Sequence, residues 1–180
     1  MIVSALCGSL RTGSYNRALL DTAVDRAPGH GLEIVSAPIG GFPLFSQDLE
    51  SDPPEDVILA KEVIRSSRCL LLSTPEHDYG VPGVLKNAVD WLSRPHGDPT
   101  LDGRPLALMG ASTGYMGTMR AQLAWRQMWH FSHAPVFSDV ELTVSFSASK
   151  FADGRLVDED VLKQLDLFLA GLHEWLERCD

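Results

Sequence analysis

Three short polar segments hold most of the side chains that could do chemistry in this 180-residue chain. The first, G-S-L-R-T-G-S-Y-N from Gly8 to Asn16, lies between an apolar run and a helix-like stretch. Ser9, Ser14 and Asn16 offer side-chain donors there, and Arg11 offers a planar charged fork. A helix N-terminus adds unpaired N–H groups and the positive end of its dipole, so the segment reads as a phosphate cradle. Ser14 is equally well placed to cap the helix. The chain has no G-K-[ST] pair and no G-x-G-x-x-G, which excludes an ATP-type P-loop and the usual dinucleotide fingerprint. Cys7, just before the segment, reads as a small buried residue ending a strand.

The second segment, T-P-E-H-D-Y-G from Thr74 to Gly80, brings Glu76, His77 and Asp78 together. Those types invite an acid–base or metal reading. A metal would need more ligands nearby, and His130-x-x-His133 lies far along the chain without an acidic companion at helical spacing. The third segment, Gly110 to Gly117, contains G-A-S-T-G, a formal match to the nucleophile elbow of serine hydrolases with Ser112 as nucleophile. An elbow needs its helix to begin at once, whereas Gly114 and Gly117 keep the chain irregular until about Thr118. A glycine-rich loop passing close to a flat ring suits the segment better, because glycine permits close backbone approach.

The elements that must position these segments follow from periodicity. Apolar runs at Ile2–Cys7, Leu32–Ser36, Cys69–Ser73 and Pro105–Met109 read as strands, and Ala134–Phe137 as the opening of a fifth. Helical patterns occupy Tyr15–Arg26, Pro54–Arg65, Val81–Leu92, Thr118–Phe131 and Asp158–Arg178. Asp158, Glu159 and Asp160 sit in the first turn of the last, where the helix dipole favours them. Strands alternating with helices predict one α/β domain over residues 1–180, a doubly wound parallel sheet with helices on both faces. At this length the flavodoxin-like strand order 2-1-3-4-5 is the expected solution. All three polar segments then follow strands, and ligands of open α/β sheets bind at carboxyl ends of strands. Two such loops beside a phosphate cradle describe a site for a phosphorylated planar cofactor.

The bulk composition agrees. Apolar residues make up 44%, ordinary for a globular protein, and 15 basic against 24 acidic side chains give a net charge of −9. That balance disfavours nucleic acid as a partner. No apolar run approaches membrane-spanning length, and the N-terminus lacks the build of a signal peptide. Cys7, Cys69 and Cys179 are odd in number and far apart, so reduced thiols and a cytoplasmic location are expected. The stretch Thr118–Phe131 carries Met119, Leu123, Trp125, Met128, Trp129 and Phe131, more apolar surface than one sheet-facing stripe needs, and Trp91 lies at the edge of the preceding helical stripe. A homodimer or a dimer of dimers is the expectation.

Three stretches, G-S-L-R-T-G-S-Y-N, P-E-H-D-Y-G-V-P-G-V-L-K-N-A-V-D-W-L-S-R-P and G-A-S-T-G-Y-M-G-T-M-R-A-Q, resemble in order the signature segments of the NADPH-dependent FMN reductase family. That family includes flavodoxin-like quinone, chromate and azo-dye reductases. The resemblance implies FMN as cofactor, NADPH or NADH as co-substrate and a small-molecule electron acceptor. It implies that Ser9, Arg11, Ser14, Tyr15 and Asn16 hold the FMN phosphate. Pro75, Glu76, His77 and Asp78 would wrap one side of the isoalloxazine, and Ala111, Ser112 and Gly114 would border the ring system. The chain departs from the pattern at two positions, with His77 where tyrosine is usual and Asp78 where asparagine is usual. A flavodoxin-type electron carrier would share fold and cofactor while lacking a small-molecule substrate of its own. In either case the flavin carries the chemistry, and no side chain is expected to act as acid, base or nucleophile.

Overall fold

The computed structural model describes residues 1–179. Five parallel strands form its main sheet: β1 (Ile2–Cys7), β2 (Glu33–Ser36), β3 (Cys69–Ser73), β4 (Leu106–Ala111) and β5 (Leu142–Val144). Their spatial order is β2-β1-β3-β4-β5, the expected flavodoxin-like arrangement. Residues alternate across the sheet. Cys69 and Leu71 of β3 face one hydrophobic cluster, and Leu70 and Leu72 face the other. The first cluster is closed by α1 (Tyr15–Arg26) and α5 (Glu159–Arg178) through Leu19, Leu20, Leu165, Phe168, Leu169 and Leu172. The second is closed by α2 (Glu55–Arg65), α3 (Gly83–Leu92) and α4 (Met119–Met128) through Ile64, Leu85, Val89, Leu92 and Trp125. Burial on both faces is why β3 and β4 are continuously apolar rather than alternating.

The expected fifth strand at Ala134–Phe137 is corrected. That segment makes one isolated parallel bridge, Leu106 to Val136, and the strand itself forms later, where Leu142 pairs with Met109. Four residues of β4, Leu106 to Met109, thus run beside seven, Val136 to Leu142, and the surplus bulges away from the edge. Pro135, which has no N–H to give, uses its carbonyl to accept from Leu106 N–H at 3.0 Å. After β5 the chain makes a two-stranded hairpin, β6 (Phe151–Ala152) and β7 (Arg155–Leu156), which the apolar pattern did not reveal.

A cluster behind the sheet's opposite end joins α2 to the loop before β4. The Asp98 carboxylate, with a side chain 6% exposed, accepts from Lys61 Nζ at 2.9 Å and from Arg65 at 2.8 Å. Burial pushes the Asp98 carboxyl up, but bonds from Thr100, Arg65 and Lys61 outweigh it and hold the group well below the usual carboxylate range.

Candidate active site

The loops after β1, β3 and β4 meet at the carboxyl edge of the sheet. β1 and β3 are neighbours there and their connections leave toward opposite faces, the switch point where such sheets open a crevice. A cleft of about 500 Å³ is lined by Ser9, Arg11, Ser14, Tyr15, Asn16, Pro75, Glu76, His77, Ala111, Ser112 and Thr113. A second, of about 770 Å³, shares Glu76, Ser112 and Thr113 with it and adds Asp78, Tyr79, Gly114, Tyr115 and Arg120. The two form a continuous depression that contains every site residue expected from the sequence.

The first loop carries the positive end. Gly13 adopts φ +71°, a left-handed conformation that turns the chain into α1. Ser14 is the N-cap, and its hydroxyl accepts from Arg17 N–H at 3.2 Å. The N–H groups of Tyr15 and Asn16, at the start of α1, have no intrahelical acceptor and face the cleft end of the helix. Arg11 is exposed, with its guanidinium carbon 5.3 Å from the Tyr15 ring centroid and no carboxylate pairing with it among the described residues. Asn16 has a further task that its sequence position did not disclose. Its carboxamide donates to Ala111 C=O at 2.8 Å and accepts from Ala111 N–H at 2.9 Å, clamping α1 to the end of β4. Ser73 Oγ donates to the Asn16 carbonyl at 2.8 Å, so the residue is buried and rigid. Burial pushes the Cys7 thiol up, which leaves it protonated and inert beneath the loop.

The second and third loops are tied together by a bond invisible in sequence spacing. Glu76 Oε2 accepts from the N–H groups of Arg120 at 2.9 Å and Ala121 at 3.2 Å, and Oε1 accepts from the Arg120 guanidinium at 3.2 Å. Its side chain is 8% exposed. Thr118, the N-cap of α4, makes no side-chain cap, so a carboxylate from β3's loop performs that role. Glu76 is therefore committed to α4 and is no candidate for acid–base work. His77 and Gly80 bond reciprocally, at 3.1 and 2.8 Å, around Asp78 and Tyr79, and His77 and Asp78 are exposed. Among the described residues no cluster of three potential metal ligands occurs.

The nucleophile-elbow match finds no support. α4 begins at Met119, seven residues after Ser112, and the Ser112 hydroxyl accepts from Gly114 N–H at 3.1 Å rather than meeting a histidine. Thr113, Tyr79, Tyr115 and Arg120 also line the depression and were not anticipated as site residues, although all four fall inside the quoted stretches. Asn87 is another omission. Its Oδ1 accepts from Phe45 N–H at 2.8 Å and its Nδ2 donates to Pro43 C=O at 2.9 Å, pinning the β2–α2 loop to α3. An asparagine one step off an apolar stripe was the signal.

The donor set fits FMN. One end offers hydroxyls, a guanidinium and a helix N-terminus for a phosphate, and the only carboxylate lining that cleft among the described residues, Glu76, is already bonded to Arg120. Buried Pro75 and Ala111 supply apolar ground between that end and the wider second cleft.

Comparison with known proteins agrees with this donor set. Residues 1–149 match the family model for NADPH-dependent FMN reductase. The chain is 40% identical over 178 residues to an NAD(P)H-dependent FMN reductase of Pseudomonas aeruginosa, covering 98% of this chain and 95% of that protein. It is 36% identical over 176 residues to a 2-hydroxy-1,4-benzoquinone reductase of Burkholderia, covering 97% and 95%. Among solved structures it is similar to FerB, a flavoenzyme NAD(P)H:(acceptor) oxidoreductase from Paracoccus denitrificans, with a TM-score of 0.88 at 32% identity, covering 98% and 97%. With its family model matched over residues 1–149 and a 40% identical relative covered almost end to end, the chain belongs to the NADPH-dependent FMN reductase family.

Proposed function

We propose that the protein is an FMN-dependent oxidoreductase that takes two electrons from NADPH or NADH and delivers them to quinones or similar small acceptors. The observation that carries this reading is the convergence of the three loops on one continuous depression with the N-terminus of α1 at one end. Bound FMN supplies hydride acceptance and two-electron delivery.

The chain's residues bind and orient. Ser9, Arg11, Ser14 and the first N–H groups of α1 hold the phosphate, with Tyr15 beneath Arg11. Asn16 fixes the distance between that cradle and the β4 loop. Pro75, Glu76, His77 and Asp78 form one wall, and Ala111, Ser112 and Gly114 the other. Glu76 ties the first wall to the start of α4, which follows the second, so their relative placement is set before any ligand arrives. The wider second cleft leaves room for a small acceptor or a nicotinamide beside the ring.

A homodimer or dimer of dimers fits the exposed side chains of α4 and the turn after it. The apolar surplus is smaller than the sequence suggests, because Trp125, Trp129 and Trp91 are buried in the fold. Leu123, Met119 and Phe131 remain exposed. Buried thiols at Cys7 and Cys69 suit a cytoplasmic setting, and no helix among the described residues is long and apolar enough to cross a membrane. The test is direct: the purified protein should be yellow, carry one FMN per chain and sustain NAD(P)H oxidation when a quinone is supplied. A colourless protein that takes up no added FMN would overturn the reading.

A further inference from the structure

The hairpin of β6 and β7 lies just beyond the residues matched by the family model, yet it packs against α1, whose first residue is Tyr15. Its turn, Asp153-Gly154, has φ of +50° and +75°, the two left-handed residues that a tight hairpin requires. The hairpin is anchored at both ends. Leu156 is buried in the core cluster with α1 and α5. Val157 N–H donates to Lys150 C=O at 3.0 Å, and the next residue, Asp158, caps α5 by accepting from Val161 N–H at 3.0 Å. From this rigid base the half-buried ring of Phe151 meets the Tyr15 ring with centroids 5.2 Å apart at 44°. Tyr15, the first residue of α1, in turn lies 5.3 Å from the Arg11 guanidinium.

We infer that Phe151 is a positioning residue for the cofactor phosphate, holding Tyr15 so that Tyr15 holds Arg11 over the cradle. The inference rests on the FMN reading above and extends it to an element that reaches the cradle through the Tyr15 ring. Arg11 is long, exposed and without a carboxylate partner among the described residues, so an aromatic face is what limits its rotamers. Tyr15 is only half-buried, and Phe151 is the ring that fixes its orientation.

The experiment titrates apo-protein with FMN and, separately, with riboflavin, which lacks the phosphate, following flavin fluorescence. Phe151→Ala should raise the FMN dissociation constant about three- to tenfold, the scale of an aromatic pair and a cation–π contact. It should leave riboflavin within about twofold, since a phosphate-specific effect cannot reach a ligand without one. In an Arg11→Ala background it should add almost nothing, because the two act as one unit. Equal loss for both flavins, no loss, or full additivity with Arg11→Ala overturns the inference. If Arg11→Ala weakens FMN while Phe151→Ala does not, the cradle stands and the hairpin's role falls. If Arg11→Ala has no effect, both fall together. Should Phe151→Ala fail to fold, Phe151→Leu keeps the packed bulk, loses the ring and carries the same comparison.

Discussion

Glu76 and Arg120, 44 residues apart in the chain, meet twice: backbone N–H to one carboxylate oxygen at 2.9 Å and guanidinium to the other at 3.2 Å. With Ala121 N–H added, one nearly buried carboxylate supplies the cap that α4 lacks from its own sequence. Glu76→Ala should therefore cost about 1.5–3 kcal/mol of stability, the scale of hydrogen bonds to a charged group. Urea denaturation of apo-protein is the measurement, because the loss should appear without any flavin bound. An unchanged midpoint would show that the cap contributes nothing.

Arg11 is predicted to matter for the ligand and not for the fold. It is exposed and holds no ion pair among the described residues, so Arg11→Ala should leave thermal unfolding of the apo-protein unchanged. FMN affinity should fall by about 1.5–3 kcal/mol, the worth of a charge-assisted bond to phosphate. Unchanged affinity by fluorescence titration would remove Arg11 from the cradle.

Asp98 makes the opposite prediction, for stability alone and with a defined pH dependence. Its pKa in the fold is lowered, so its stabilising effect is complete above the unfolded carboxylate value, about 3.9. The effect fades as pH falls below that value toward the folded one. Asp98→Asn leaves Lys61, itself only 8% exposed, without its carboxylate, and should cost about 3–5 kcal/mol at neutral pH. The gap between wild type and variant should hold constant from pH 5 to pH 8 and narrow in acid below about pH 4. A gap independent of pH down to pH 3 would mean that the charge is not what stabilises.

Leu123 offers the test of assembly. It lies on α4 with 57% of its surface exposed, beside exposed Met119 and with Phe131 in the following turn. Leu123→Glu should convert a dimer or tetramer to smaller species by light scattering at micromolar concentration, with the monomer fold retained. A wild-type protein that is already monomeric there would count against the proposed assembly.

The parts of the fold that were legible in the sequence are those where burial repeats locally. Residues 69–72 are an unbroken apolar run because both faces are covered, and the α5 stripe from Val161 to Leu176 is buried residue for residue. The fifth strand was misplaced because its length against β4 includes a bulge, and nothing near Pro135 marks where pairing resumes. Trp125 and Trp129 read as surplus surface, but Trp125 Nε1 donates to Thr74 Oγ1 at 3.2 Å and Trp129 Nε1 to Arg104 C=O at 3.0 Å, each from a buried ring. That the three loops meet was legible because each follows a strand of one parallel sheet. The particular duties of Asn16 and Glu76 were not, since each bonds a partner reached only through the tertiary fold.

Asp78 is the departure from the family pattern whose consequence can be separated cleanly. It and Tyr79 have φ of +49° and +64°, and the reciprocal bonds between His77 and Gly80 close the turn around them. Two left-handed residues in succession define a turn in which asparagine and aspartate are the favoured non-glycine residues at the first position. The first task of position 78 is thus conformational, and asparagine performs it equally well. Asp78→Asn should leave the apo-protein's stability within about 0.5 kcal/mol, whereas Asp78→Val should lose about 1–2 kcal/mol to the left-handed backbone. What Asp78→Asn does remove is a negative charge at the rim of the depression. A carboxylate there opposes added electron density on a neighbouring ring, as like charges oppose joint ionisation. Its loss should raise the two-electron potential of the flavin. Because Asp78 is exposed, solvent screening limits the effect to about 0.5 kcal/mol, or roughly 10 mV. Equilibration against a reference dye measures it, and raising the salt concentration should shrink the difference between the two proteins. A potential that stays level or falls in Asp78→Asn would show that this charge acts on the turn alone.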